Sequence, residues 1–410
     1  MPDPTRQAAF DLLTAVLDRH RPLDEALDAL PSSEARDRAA AHRIAASVLR
    51  RAGSLDAVLE PFLRRAPPDA VRHILRLGAA QLILLDTPAH AAVTTSVALA
   101  RARGLAPFAG LVNAVLRRVA ETGPAALDDL DGPRLDTPPW LWASWGTNAR
   151  AIAQAHGSEA PLDLTLRAGA SVPGGELLPT GSVRLPAGTR LTELPGFTEG
   201  AFWVQDAAAA LPAALLNVRA GERVADLCAA PGGKAAQLAM SGVTVAAIER
   251  DPVRLQRLAE NFARLRCPAI PILADALTWR PDAPLDAVLL DAPCSATGTI
   301  RRHPDVPFLK RPRDIETLVV QQATLIAAAA AMLRPGGRLV YAVCSLQPEE
   351  GPGQMEAAAR AGLCHDPLRP SELAPLPEAL TADGCLRTHP GLWPERGGMD
   401  GFFAARFIRP

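Results

Sequence analysis

The sequence predicts a multidomain chain: an all-helical N-terminal bundle, a small mixed segment, and a C-terminal α/β domain built on a parallel sheet. Two observations carry this. Apolar residues recur at helical spacing through roughly the first 122 positions, without strand-like alternation. From about Gly221, short apolar runs alternate with helical stretches, the pattern of a parallel sheet covered on both faces. The length of 410 residues fits two or three domains, each burying its own core. The expected boundaries are 1–125, 126–205 and 206–410.

In the first region Phe10, Leu13, Val16 and Leu17 share one helix face after Thr5, which reads as the N-cap. Val71, Ile74, Leu75 and Leu82 form a second stripe, and Leu111, Val112, Val115, Leu116 and Val119 a third. The acidic, proline-rich stretch at 121–139 reads as a linker, and PPWLWASWG then opens a short helical region. From Leu166 to Gly200 short strands are separated by Pro and Gly turns. In the last region RVADL, TVAAIE, PILAD, DAVLLD, RLVYAV and FFAARFI supply strands. Asp251 and Pro252 make an N-cap and first helical position for a helix carrying Leu255, Leu258, Ala259, Phe262 and Leu265 on one face. RDIETLVVQQATLIAAAAAMLRPGG supplies a long helix.

Composition excludes several classes. Hydrophobic residues make up 48% and charged residues 21%, as in a globular protein. The longest apolar run, LIAAAAAML, is far short of the roughly 20 residues of a membrane span, so no membrane partner is expected. MPDPTRQAAF lacks the apolar core of a secretory leader. Six widely spaced cysteines without a CxxC pair argue against a zinc site and against a disulfide framework. Free thiols in a reducing, cytoplasmic compartment, no metal and a monomer are the resulting expectations.

Net charge is −1, so a polyanionic partner must be sought locally. Between Ala40 and Ala120 there are 11 Arg against four acids, a segment suited to phosphates, although solvated helix faces look the same. Lys234 and Lys310 are the only lysines, so a compact ammonium is expected to matter where Lys is kept.

DLCAAPGGK (Asp226 to Lys234) lies at a strand end and opens a helix, where small residues let backbone N–H groups approach a ligand. It is neither GxGxxG nor a P-loop, and a tight strand-to-helix turn is the bland alternative. Glu249, Asp275 and Asp291 end the next three strands. Beside the glycine loop, three such acids favour a nucleoside-binding crevice, with Glu249 placed to take ribose hydroxyls.

Two thiols stand apart. Cys228, Cys267, Cys364 and Cys385 fit as small buried hydrophobes, but Cys294 and Cys344 both leave strands on the ligand edge. A thiolate is a strong nucleophile. Added to carbon 6 of a pyrimidine, it makes carbon 5 nucleophilic towards a methyl donor, and loss of the carbon 5 proton then expels it. Two thiols allow one to form the adduct and the other to help resolve it.

DLCAAPGGK, LLDAPCSATGTIRRHPD, VYAVCSLQPEEG and the terminal GGMDGFFAARF resemble the signatures of RNA 5-methylcytosine methyltransferases, the group that includes the NSUN enzymes. LRLGAAQLILLDTPAHAAVTTSVALAR and GLVNAVLRR resemble the NusB-like domain fused to these enzymes in the bacterial RsmB type. The resemblance spans nearly the whole chain. It implies a NusB-like RNA-binding bundle, a small mixed RNA-binding region and a Rossmann-like class I methyltransferase domain using S-adenosylmethionine. By position, Cys228, Ala229, Ala230, Pro231, Gly232, Gly233 and Lys234 would hold the amino-acid part of the cofactor, Glu249 the ribose and Asp275 the adenine. Asp291 would lie near the methyl group and target base, Lys234 would touch cofactor or base edge, Cys344 would be the nucleophile and Cys294 would assist release.

Val343 stands where that family usually has Thr, Ala235 and Ala236 replace hydroxyl residues, and Glu249 replaces Asp. These departures bear on rate rather than on reaction type. The basic stretch with Arg301, Arg302, His303, Lys310 and Arg311 follows the Cys294 motif and is expected to contact RNA phosphates. The target base must be unpaired or flipped to reach either thiol. The function so implied is methylation of carbon 5 of a cytosine in small-subunit rRNA. A tRNA cytosine, a small molecule or protein substrate, and a non-catalytic RNA-binding assembly factor are the alternatives; the last needs neither thiol.

Overall fold

The computed structural model describes residues 3–31 and 35–410. They form two compact units, Met1–Ser158 with Ile300–Arg311, and Glu159–Thr299 with Pro312–Pro410. The expected middle region is divided between them.

The first unit is helical: α1 (Pro4–Leu17), α2 (Leu23–Asp28), α3 (Ala35–Arg50), α4 (Ala52–Leu59), α5 (Asp69–Ile83), α6 (Ala89–Ala102) and α7 (Ala109–Thr122), then the short α8 (Gly132–Leu135), α9 (Pro139–Ser144) and α10 (Ala149–His156). The apolar stripes read from the sequence meet in one core, with Leu13, Val16, Ile74, Leu75, Val112, Leu116 and Val119 buried. The N-cap of α1 is Asp3 rather than Thr5. The Asp3 carboxylate accepts the Arg6 N–H at 3.1 Å, and Pro4 fills the first helical position, where no donor is needed. Thr5 is buried inside the helix.

The stretch at 121–139 is not an open linker. It folds through α8 and docks on α4, where Asp136 accepts from the Ser54 N–H and from Ser54 Oγ, both at 2.7 Å, and pairs with Arg51 at 3.0 Å. Leu135 comes so close that a Cβ on Gly53 would sit 2.0 Å from its carbonyl oxygen.

The returning segment Ile300–Arg311 completes this unit. Arg50 Nη1 donates to the Arg301 carbonyl at 2.8 Å, and the Leu23 N–H donates to Asp305 Oδ2 at 2.8 Å. Beyond Asp305 the segment forms one helical turn, Val306–Leu309.

The second unit contains two sheets. Strands β1 (Leu162–Leu166), β2 (Glu176–Leu177), β3 (Val183–Leu185) and β4 (Phe202–Val204) make a small antiparallel sheet in the order β2-β3-β1-β4. Asp163 and Arg184 are paired across it by two buried bonds of 2.7 Å, and Asp163 also accepts the Ala207 N–H. A buried charge needs this many partners.

The larger sheet comprises β5 (Arg223–Asp226), β6 (Thr244–Glu249), β7 (Ile270–Leu273), β8 (Leu285–Asp291), β9 (Leu333–Val343), β10 (Cys364–His365), β11 (Leu386–Arg387) and β12 (Phe403–Ile408). Its order is β10-β12-β9-β8-β5-β6-β7, with β11 on β12. Strands β5 to β9 are parallel and β12 is antiparallel to β9. The chain steps outward from β5 through β6 to β7, then resumes with β8 on the other side of β5. The loops leaving β5 and β8 therefore diverge and open a crevice at the carboxyl edge.

The helices of this unit are Leu211–Leu215, Gly233–Ala239, Pro252–Leu265, Pro312–Met332 and Met355–Arg360. Asp251 caps the third, accepting from the Val253 and Arg254 N–H groups, with Pro252 following as expected. Helix Pro312–Met332 is long and apolar enough by length and composition to cross a membrane. Ile315, Leu325, Ile326, Ala329, Ala330 and Met332 are buried along it, and Leu325, Ile326, Ala329 and Ala330 share a core with β8 and β9, so it serves as a core helix here.

Substituting Gly53→Ala should destabilise the protein by about 2–3 kcal/mol, because the new methyl meets rigid backbone. Gly110→Ala, with open space around its Cβ, should leave stability unchanged or slightly higher. Thermal unfolding of the two variants checks the contrast.

Candidate active site

At the carboxyl edge of the large sheet the acids read from the sequence stand on neighbouring strands. Asp226 ends β5, Glu249 ends β6, Asp275 follows β7 and Asp291 ends β8. Parallel pairing sets their levels: Asp226 lies opposite Ala247 and Leu289, Glu249 opposite Leu273, and Asp291 opposite Ala342.

The loop from Cys228 to Lys234 leaves β5 and turns into helix Gly233–Ala239. Gly232 adopts φ 105°, and a Cβ there would lie 2.9 Å from the Phe262 ring, so glycine is required twice over. Helix Pro252–Leu265 holds the loop from outside. Arg254 donates to the Ala230 carbonyl at 3.0 Å and Asn261 to the Pro231 carbonyl at 2.9 Å. Ala235 and Ala236, which lack the family's hydroxyls, are fully buried in the core below.

Lys234 is a cation of the crevice, and Arg254 pairs with Glu249 at 3.5 Å. The Lys234 Nζ donates to Asp291 Oδ2 at 2.6 Å and lies 5.0 Å from the centre of the Phe402 ring. Burial alone would lower its pKa; the charge and hydrogen bond of Asp291 outweigh this and hold the ammonium above its usual range. Asp226 is the counterpart. It is 1% exposed, its Oδ1 has no hydrogen-bond partner among the described residues, and its pKa is pushed up to about 7. Burial is the main cause and the Asp291 charge the next, with Lys234 pulling the other way. Glu249 is buried and accepts the Asp251 N–H at 2.9 Å. Asp275 is half-buried and caps its own turn through the Leu277 N–H. The Cys228 thiol is pushed far up, first by burial and then by the surrounding carboxylates, so it is inert.

The two thiols meet. Cys294 leaves β8, Cys344 leaves β9, and their Sγ atoms lie 3.4 Å apart. Hydrogen bonding to Cys344 is the largest cause raising the Cys294 thiol well above its ordinary pKa; burial and the charges of Cys344 and Glu350 add to it. Cys294 thus keeps its proton and can donate it to sulfur. All six cysteines are unbridged. Val343, at the position before Cys344, is fully buried.

The terminal GGMDGFF stretch closes over the loop that follows Cys294. The Gly401 N–H donates to the Gly298 carbonyl at 2.8 Å, and a Cβ on Gly298 would lie 1.9 Å from the Gly401 oxygen. Phe402 and Glu350 belong to motifs quoted above, yet neither was assigned a role from the sequence.

The basic stretch lies in the first unit and is partly corrected. Arg301 is 1% exposed, in the interior of the helical unit, and so is a packing residue there rather than a phosphate contact. Its charge and that of Arg50 lie near His156, whose pKa falls to about 3, chiefly through burial. Arg302 and Lys310 are half-buried, while His303 and Arg311 are exposed. His303 pairs with Asp24 at 3.5 Å.

A doubly wound sheet with a glycine loop and acids along its switch point defines a Rossmann-like nucleoside-binding domain, here with a thiol pair at the crevice. A family model described as 16S rRNA methyltransferase RsmB/F matches residues 213–408, and a NusB family model matches residues 3–121. The ribosomal RNA small subunit methyltransferase B of Xanthomonas campestris pv. campestris is 40% identical over 384 residues, covering 86% of this chain and 87% of that protein. The protein of the same name from Xylella fastidiosa strain Temecula1 is 39% identical over 435 residues, covering 98% and 97%. The crystal structure of PH0851 shares the fold, with a TM-score of 0.74 at 22% identity over 100% of this chain and 99% of that one. A methyltransferase homolog protein from Pyrococcus horikoshii has a TM-score of 0.54 at 26% identity, covering 66% and 93%. The chain belongs to the RsmB/F family of 16S rRNA methyltransferases, in the form that carries an N-terminal NusB domain.

Asp226 gives a pH test. Its folded pKa of about 7 exceeds the ordinary 3.8, so the stability present below pH 4 is lost as pH rises through that window. Asp226→Asn removes the titration. Its melting temperature should rise relative to the parent between pH 4 and 7 and hold a constant offset above pH 7, measured without cofactor.

Proposed function

We propose that this chain methylates carbon 5 of a cytosine in small-subunit, 16S ribosomal RNA, through a transient thioether between Cys344 and carbon 6 of the base. The observation that carries this reading is the Cys294–Cys344 pair, 3.4 Å apart beside the Lys234–Asp291 ion pair at the edge of the crevice. A module that only binds RNA has no use for two adjacent thiols there.

The crevice fits S-adenosylmethionine, which supplies an electrophilic methyl group carried on a sulfonium. The unpartnered, buried Asp226 oxygen suits an ammonium-bearing amino-acid end. Residues Cys228 to Lys234 would hold that end, the buried Glu249 the ribose, and Asp275 the adenine. The Cys344 thiolate adds to carbon 6, forming a C–S bond and moving electron density to carbon 5. Lys234 and Asp291 orient the base edge next to the methyl group. After transfer, water takes the carbon 5 proton, the electron pair left behind restores the carbon 5–carbon 6 double bond, and the C–S bond breaks to return the Cys344 thiolate. Cys294, which keeps its proton, stabilises the departing Cys344 sulfur by an S–H hydrogen bond. That is the physical content of its role in release.

The Arg-rich helical unit and the side chains of Arg302, His303, Lys310 and Arg311 supply phosphate contacts that set register on the RNA. The relatives are named for the small-subunit RNA, and we propose that the chain acts in the cytoplasm as a monomer.

The test uses small-subunit rRNA fragments and tRNA with S-adenosylmethionine. Cys344→Ala should lower methyl transfer by at least about 10³-fold. Cys294→Ala should retain an RNA-linked band on a denaturing gel, absent from the Cys294→Ala, Cys344→Ala double variant. A band with tRNA alone would redirect the substrate. Active parent enzyme with no band in Cys294→Ala would reverse the thiol roles.

A further inference from the structure

Glu350 is a buried carboxylate on which both thiol-bearing loops converge. Its Oε1 accepts the Ser295 backbone N–H at 2.8 Å and Gln322 Nε2 at 3.0 Å. Its Oε2 accepts the Ser295 and Ser345 hydroxyls, both at 2.5 Å. Ser295 and Ser345 are the residues immediately after Cys294 and Cys344. The two serine hydroxyls are themselves 3.0 Å apart, and Thr297 Oγ1 lies 3.3 Å from each. From this cluster the Leu346 N–H reaches Thr297 Oγ1 and the Gln347 N–H reaches Ser345 Oγ, both at 3.0 Å. Ser295, Thr297, Ser345 and Glu350 are all completely buried.

A carboxylate removed from water is costly unless its lone pairs are filled, and here each oxygen takes two donors. The donors are not drawn from one turn. They come from the loop after β8, the loop after β9 and helix Pro312–Met332, so the carboxylate ties together segments about 50 residues apart in sequence. Neither β8 nor β9 extends to the thiols; past the Ala292 N–H bond to the Ala342 carbonyl, the two loops share one further backbone bond, from the Gly298 N–H to the Cys344 carbonyl at 3.0 Å. That single bond is anchored four residues past Cys294, so the bonds on Glu350, which reach the residue next to each thiol, act closer to the sulfurs.

We propose that Glu350 is the positioning residue for the thiol pair, a buried clamp that fixes the Cys294 loop against the Cys344 loop through Ser295 and Ser345. The proposal rests on the reading of Cys294 and Cys344 as the reacting thiols. Consecutive Cα atoms lie about 3.8 Å apart across a rigid peptide unit, so pinning each serine leaves its cysteine little freedom. Tyr341, on β9, serves as a control. Tyr341 donates to the Glu350 backbone carbonyl at 2.6 Å and does not touch the carboxylate.

The test compares the full-length parent, Glu350→Gln, Ser345→Ala and Tyr341→Phe by two readouts. The first is diamide oxidation. Diamide takes two hydrogens from the thiols, becoming the hydrazine, and leaves a Cys294–Cys344 disulfide that is scored by peptide mass. Its rate reports how well the sulfurs are held together and needs no RNA. Glu350→Gln should slow bridging about tenfold or more, and Ser345→Ala less. The second readout is methyl transfer to rRNA, where kcat should fall about tenfold or more with the RNA KM within about twofold. Tyr341→Phe should bridge at the parent rate. Parent-like bridging in Glu350→Gln, or equal slowing in Tyr341→Phe, overturns the clamp. Should Glu350→Gln fail to fold, Ser295→Ala and Ser345→Ala decide, since each removes one hydroxyl and keeps the carboxylate; parent-like bridging in both overturns the proposal. A parent that bridges rapidly yet methylates no RNA would count against the proposed function and leave the clamp to be judged by the bridging rates.

Discussion

The parallel pairing of β8 with β9 is the constraint on which the site depends. It places Asp291 level with Ala342, and the Ala292 N–H donates to the Ala342 carbonyl at 2.9 Å. The chain then needs three residues to reach Cys294 on one side and two to reach Cys344 on the other. Side chains alternate along a strand, so a slip of one residue would turn one thiol away from the other. The register is secured from both directions. Strand β12 pairs along β9 from Arg338 to Val343, and helix Pro312–Met332 packs its buried face on β8 and β9. Much of the C-terminal fold is in this sense a device for holding two loop starts side by side.

The second constraint is charge. Asp226, Glu249 and Asp291 crowd one edge, where Lys234 pairs with Asp291 at 2.6 Å and Arg254 with Glu249 at 3.5 Å. The arrangement explains why a chain with only one other lysine, Lys310, keeps lysine here. An ammonium is compact enough to sit over the Phe402 ring and still reach a carboxylate oxygen at 2.6 Å. A guanidinium would demand a planar fork and more room.

Much of this was legible in the sequence, because period and strand-end chemistry are local. The stripe Val112, Val115, Leu116, Val119, the Asp251–Pro252 helix start and the acids at the ends of β6 and β8 needed no long-range knowledge. What was not legible depended on distant contacts. Thr5 and Asp3 are both good caps, and Pro4 decides between them by needing no donor. The 121–139 stretch looks like a linker until Ser54 and Arg51 supply partners for Asp136. Arg301 looks solvated among its basic neighbours until the helical unit closes around it. Glu349 and Glu350 are adjacent carboxylates in one motif. One is exposed and the other is completely buried, and nothing within the motif distinguishes them.

The helical unit is not a contiguous piece of chain: it takes residues 300–311 from within the sequence of the other unit. Those twelve residues begin directly after the Cys294 motif and end where the long core helix starts. Arg301 is buried and Asp305 is bonded to Leu23, so the segment is a full member of the unit that receives it. Recombination at a single point near residue 158 would therefore bring together a bundle and an inserted segment with different histories, and an ill-matched Arg301 would be left with a charge and no solvent. A bundle exchanged without residues 300–311 would lose the Arg301 carbonyl that Arg50 reaches and the Asp305 carboxylate that the Leu23 N–H reaches.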